Sequence, residues 1–147
     1  MPEVLPREGI RVGLTAVDRW DAVRQCGAVL QELGAVEAGY TDKMLDRERS
    51  VSTFVGEGVA IPHGTSEAKS LVRETRLAVL QFPAGVDWGG QQVTTCVAIA
   101  ARGDEHIAVL SALALLLLEP DQAEKLRSSS DPDEIHQLLE SISKDIA

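Results

Sequence analysis

Two hydrophobic periods alternate along this chain. Val23, Cys26, Leu30 and Leu33 recur every three or four residues and predict a first helix from about Ala16 to Leu33. Gly34 then stands where a left-handed C-terminal cap belongs. Thr41 is placed to cap a second, shorter helix through "DKMLDRE", ending near Arg49. "STFVG" and "GVAIP" read as short extended pieces. "RLAVLQF" (Arg76 to Phe82) and "TTCVAIAA" (Thr94 to Ala101) are apolar runs of strand length, as expected where both faces of a sheet are covered. Between them "PAGVDWGG" carries the punctuation of a turn.

The most apolar run, Ile107 to Leu118, predicts a buried helix closed by Pro120. Asp131, Pro132 and Glu134 supply an N-cap, an N1 proline and an N3 acid for a last helix with Ile135, Leu138, Leu139 and Ile142 as its stripe. Helices alternating with buried strands predict an α/β fold, with helices on both faces of a sheet. No repeat or low-complexity linker interrupts the pattern, so one domain over residues 1–147 is expected.

Charge narrows the function classes. Lys and Arg number 14 against 23 Asp and Glu, a net charge of −9 that lacks the basic face of a nucleic-acid binder. The run from Ile107 to Leu118 falls short of the ~18 residues that span a bilayer, so no membrane insertion is expected. Pro2, Glu3, Pro6, Arg7 and Glu8 interrupt any signal-peptide core, and a cytoplasmic protein is expected. Cys26 and Cys96 lie among apolar residues, with no C-x-x-C and no zinc spacing, and read as buried thiols.

Three histidines are the candidates for chemistry. His63 stands between Pro62, which restricts the backbone, and Gly64, which admits the close approach of another backbone or a ligand. Thr65 is placed to cap a helix through Ser66, Glu67, Ala68 and Lys69, turning amides toward the imidazole. His106, with Asp104 as N-cap, falls in the first turn of the apolar helix, where the dipole disfavours imidazolium and favours an anion. His136 lies one position off the stripe of the last helix and reads as a solvent-side residue. Neither His63 nor His106 has a ligand at H-x-x-x-H spacing, so no metal site is expected. Arg47 and Arg49 in "LDRERS" are both able to turn a planar guanidinium toward an anion, and the residues alone do not choose between them.

"YTDKMLDRERSVSTFVGEGVAIPHGTSEAK" followed by "IAARGDEHIAVLSAL" resembles the enzyme IIA component of the mannitol/fructose class of the bacterial phosphotransferase system, the mannitol branch above all. The resemblance runs from about Leu14 to Leu139, and its most specific elements are G-x-A-x-P-H-G at Gly58 to Gly64 and the downstream "EHI". It implies a mixed sheet flanked by helices and a phosphotransferase component that needs no cofactor. A phosphoryl group would come from the phosphohistidine of HPr and pass to a cysteine of a IIB domain serving a membrane IIC permease, with mannitol as the sugar. It implies His63 as the phosphorylated residue, reacting through Nε2, with His106 as the second active-site histidine. The same resemblance, not spacing, implies Arg47 rather than Arg49. No IIB-type cysteine loop is present, so the chain corresponds to a free IIA subunit or to a domain cut from a longer protein. A nitrogen-type regulatory IIA module, controlling protein partners through its phosphorylation state, is the alternative, and a metal-dependent hydrolase the remote third.

Overall fold

A computed structural model describes residues 4–103 and 105–146, the side chains of 106 and 141–146 excepted. Its five strands are β1 (Ile10–Arg11), β2 (Phe54–Gly56), β3 (Val59–Ala60), β4 (Arg76–Trp88) and β5 (Gln91–Ala100). They form one sheet in the order β1-β4-β5-β3-β2. The sheet is mixed: β1 runs parallel to β4 and β3 parallel to β5, while β4/β5 and β2/β3 are antiparallel. Helices α1 (Arg19–Glu32) and α2 (Tyr40–Ser50) precede the central hairpin, and α3 (Glu105–Leu118), α4 (Pro120–Ser128) and α5 (Pro132–Ile146) follow it.

Alternation along the central strands divides the core. Ala78, Leu80 and Phe82 on β4, with Cys96, Ala98 and Ala100 on β5, join the cluster that contains Val23, Cys26 and Leu30 of α1 and Met44 of α2. Their neighbours Leu77, Val79, Val97 and Ile99 join the opposite cluster with Val109 and Leu113 of α3, Leu126 of α4, and Ile135 and Leu139 of α5. Helices therefore cover both faces, which is why Leu77 to Leu80 and Cys96 to Ala100 are apolar at every position.

The predicted boundaries move where local chemistry outweighs periodicity. Asp18, not Ala16, sets the start of α1, because its carboxylate accepts the Asp21 N–H at 2.8 Å. Gly34 is left-handed (φ +73°), as its cap position predicts. Thr41 does not cap α2. Gly39 (φ +100°) occupies that position, and the Thr41 side chain lies so close to Gly27 that a Cβ there would meet its hydroxyl at 2.1 Å. That close approach lets α1 and α2 pack together.

The stretch predicted as a turn from Pro83 to Gly90 is mostly strand. β4 continues to Trp88, with a register break between Gln81 and Val86 that takes up Pro83 and Ala84, and only Gly89 and Gly90 turn. Pro120 ends α3 and also opens α4, a helix that sequence patterning passed over. α4 is held from the sheet: buried Gln81 Nε2 and Thr95 Oγ1 both donate to the Leu126 carbonyl, at 2.8 and 3.3 Å. The α5 cap is as predicted, with the Asp133 N–H donating to Asp131 Oδ1. Its stripe holds for Ile135 and Leu139, which are buried, and for half-buried Leu138, while the Ile142 side chain lies outside the described residues.

Candidate active site

Val59 and Ala60 pair in parallel with Thr95 and Cys96, and the chain keeps that course beyond β3. The Ile99 N–H donates to the Pro62 carbonyl at 2.9 Å, and His63 bridges to Ile99. His63 is thereby carried to the carboxyl end of β5, the end of an α/β sheet where ligands characteristically bind. α3 starts from the same end, with His106 as its second residue. The His106 side chain and the expected N-cap Asp104 lie outside the described residues.

His63 is half-buried at the edge of a cavity of about 410 Å³ whose lining includes Tyr40, Arg47, Ser50, Thr65 and Lys69. Its Nδ1 lies 2.8 Å from the carbonyl oxygen of Ile61, two residues back. A carbonyl only accepts, so Nδ1 carries the proton, and in the neutral ring the lone pair belongs to Nε2. The sequence accounts for this geometry. Pro62 holds the intervening residue in a restricted conformation, which keeps the Ile61 carbonyl and the His63 ring on one short loop.

Gly64 has a role that its sequence context does not show. A Cβ at this position would meet the Tyr40 ring at 2.6 Å, so glycine here permits the close approach of a tyrosine ring, and Gly64 also lines the cavity. Tyr40 Oη accepts the Gly64 N–H at 2.9 Å and donates to the Ile99 carbonyl at 3.0 Å. One phenol therefore ties the residue after His63 to the strand beside it. Burial raises the Tyr40 phenol above its ordinary value of 10.0, and the Gly64 N–H works in the opposite sense. The side chain stays protonated at neutral pH and keeps its donor.

Helix α2 also separates the two arginines. Positions 40, 47 and 50 fall on one face of a 3.6-residue helix, and Tyr40, Arg47 and Ser50 all line the cavity. Arg47 donates to the Val51 carbonyl at the helix end, which holds its guanidinium there. Arg49, about 200° further round the helix, pairs with Asp46 at 2.7 Å and approaches the Trp20 ring on the exposed side. His136 is half-buried on α5 and is not among the residues of the cavity.

Thr65 differs from expectation as well. It precedes a 3-10 helix (Ser66–Leu71), but its side chain makes no capping bond. Its buried Oγ1 is without a hydrogen-bond partner.

Tyr40, Ser50 and Lys69 are among the cavity residues that sequence reasoning did not single out as site candidates. The available signal was the seven-residue spacing from Tyr40, the chain's one tyrosine, to Arg47, which puts both on one helix face.

Glu48, next to Arg47 on α2, centres a second polar cluster. Buried Glu48 accepts from Trp88 Nε1 at 3.1 Å and from both the N–H and the hydroxyl of Thr53. Nearby, burial pushes the Cys96 thiol well above its ordinary value, and its hydrogen-bonded neighbour Cys26 and the Glu48 charge act in the same direction. Both thiols are fully buried, which agrees with the packing role expected of them.

The family model for the phosphoenolpyruvate-dependent sugar phosphotransferase system, EIIA 2, matches residues 3–142. A "Mannitol-specific phosphotransferase enzyme IIA component" of Staphylococcus aureus is 38% identical over 140 residues, covering 95% of this chain and 97% of the relative. A "Multiphosphoryl transfer protein" of Salmonella typhimurium is 42% identical over 133 residues, which are 90% of this chain but 35% of that protein. The chain thus spans about a third of the length of that relative. In the solved complex of enzyme IIAMTL and phosphorylated enzyme IIBMTL from Escherichia coli, the matching chain is 36% identical, with a TM-score of 0.83 over 90% of this chain and 94% of that one. Matched across nearly its whole length, and with the mixed sheet and flanking helices that the resemblance implied, the chain belongs to the EIIA 2 family of the sugar phosphotransferase system.

Proposed function

We propose that this chain is a histidine phosphocarrier that takes a phosphoryl group from phospho-HPr onto His63 Nε2. It then delivers the group to a cysteine of a IIB domain for sugar uptake through a IIC permease, with mannitol as the sugar. The mannitol-specific relative and the likeness to a IIA in complex with a phosphorylated IIB support this substrate and this partner. The work takes place in the cytoplasm, in keeping with the absence of any helix among the described residues long and apolar enough to cross a membrane.

The observation that carries the reading is the 2.8 Å contact between His63 Nδ1 and the Ile61 carbonyl at the edge of the cavity. It keeps the proton on Nδ1 and the nucleophilic lone pair on Nε2 in the neutral ring. In the first step Nε2 attacks phosphorus in line with the phosphorus–nitrogen bond of the donor. That bond breaks as the new one forms, and the donor imidazole leaves with its electron pair. In the second step the IIB thiolate attacks the same phosphorus, and His63 leaves as neutral imidazole. No proton has to enter or leave the His63 ring, so the Ile61 contact persists through both steps.

Positioning and charge stabilisation are what the protein contributes to such a transfer. The phosphoryl group carries about −1.5 to −2 charge near neutrality. The Arg47 guanidinium matches its oxygens as a planar fork, and His106 donates from the first turn of α3. Tyr40 holds the His63 loop against β5, so the imidazole is pre-set for attack.

The test is incubation with phospho-HPr labelled in its phosphoryl group, followed by mapping of the labelled residue. Wild-type protein takes the label on His63, and His63→Ala takes none while keeping its thermal midpoint. Equally fast labelling of His63→Ala would sink the assignment.

A further inference from the structure

The cavity beside His63 holds a second cation. Lys69 lies six residues beyond His63 on the 3-10 helix (Ser66–Leu71) and lines the same cavity as Arg47. Elsewhere Arg7, Arg11, Arg49, Arg73, Arg76 and Arg127 are each paired with a carboxylate, while Arg19, Arg24, Lys43, Arg102 and Lys125 have no such pair among the described residues but lie outside the cavity. Among the described residues, neither Arg47 nor Lys69 has such a partner, and no Asp or Glu lines the cavity. Glu67, the nearest acid along the chain, is exposed and outside the lining. In a protein with 23 acidic residues against 14 basic ones, two cations without a carboxylate partner lining one cavity mark a local reversal of the overall charge.

We propose that Lys69 binds the phosphoryl group carried by His63, its ammonium offsetting the phosphoryl charge from the 3-10 helix that follows the His63 loop, in concert with the Arg47 guanidinium. The inference rests on the phosphocarrier reading of His63 and adds to it a residue that reads only charge. Arg47 supplies a directional fork anchored at the end of α2, whereas Lys69 supplies a mobile point charge on a four-carbon stem. A point charge of this kind has two effects. It raises the local concentration of an anionic phosphoryl donor, and it favours the doubly ionised form of the phosphoryl group once transferred.

Two measurements on Lys69→Gln test this, with Lys69→Arg as the rescue. Lys125→Gln, on the exposed side of α4, changes the net charge equally at a distance from the cavity. Transfer from phospho-HPr to Lys69→Gln slows about three- to tenfold at low salt, an effect that fades as salt is raised. A phosphorus NMR titration of the phosphorylated protein shows the second ionisation of the phosphoryl group moved up by about half a pH unit in Lys69→Gln. Lys69→Arg restores both values, and Lys125→Gln matches wild type in both. Wild-type transfer and an unmoved titration in Lys69→Gln, with His63 still labelled, would overturn the role of Lys69 and leave the phosphocarrier reading standing. Failure of the wild type to take label on His63 would overturn both.

Discussion

Arg47 and Glu48 are neighbours on α2, yet they belong to two regions of opposite character. Glu48 points into the interior, where Trp88 and Thr53 satisfy its carboxylate from three donor groups. Arg47 points to the cavity, where it meets a backbone carbonyl and no carboxylate among the described residues. A buried carboxylate held by three donors of the protein itself is closed: it docks α2 onto the end of β4 and does not line the cavity. A half-buried cation without a counter-charge is open, and the cavity beside it has room for an anion. Burial alone does not separate scaffold from site. The completeness of the hydrogen-bond set does.

Substitutions along α2 break this comparison in order of their expected size. Arg47→Gln slows phosphoryl acceptance from phospho-HPr by about 10²–10³, the cost of losing one preorganised donor at developing charge. Its thermal midpoint changes little, because a single hydrogen bond to Val51 is lost, worth about 0.5–1.5 kcal/mol. Glu48→Ala shows the reverse. Removing the acceptor strands the Trp88 and Thr53 donors and destabilises the fold by about 2–5 kcal/mol, read as a fall in the denaturant midpoint. Its folded fraction transfers at the wild-type rate. A Glu48→Ala protein of wild-type stability would remove the distinction between the two regions.

Tyr40→Phe belongs to both regions and sharpens the boundary between them. It leaves the Gly64 N–H and the Ile99 carbonyl without their partner, at about 1–3 kcal/mol, and also slows transfer about tenfold through a looser His63 loop. The phenol has a pH signature as well. Its folded value is raised above 10.0, so its contribution to stability is complete below pH 10 and is lost as pH rises from there through the folded value. Tyr40→Phe removes that loss, which denaturant midpoints at pH 8 and pH 11 detect. The smallest effect is that of Arg49→Gln, a change to an exposed pair worth about 0.2–1 kcal/mol, with transfer within about twofold of wild type. A large transfer defect in Arg49→Gln would return the choice between the arginines to the state the residues alone leave it in.

Much of this protein is legible from its residues because local chemistry and period agree. The stripe of α1, the Asp131 cap of α5 and the paired faces of β4 and β5 follow from spacing and from short-range hydrogen bonds. His63 stood out for the same reason, since Pro62 and Gly64 constrain it from either side. Where a distant partner decides, the sequence is silent. α4 has no strong pattern of its own and is held by Gln81 and Thr95, some thirty to forty-five residues away. The length of β4 depends on β5 carrying the ladder past Pro83.

The site divides in the same way. Sequence by itself determined which residue is the nucleophile candidate, because proline, histidine and glycine in a row constrain one another locally. Only the tertiary structure decided what surrounds it. Parallel pairing with β5 carries His63 to the sheet end, the roll of α2 turns Tyr40 and Arg47 to the cavity and Arg49 away from it, and the 3-10 helix brings Lys69 to the same cavity. Those outcomes depend on the rotation and docking of whole elements, which the packing of both cores sets, and no stretch of neighbouring residues carries that information.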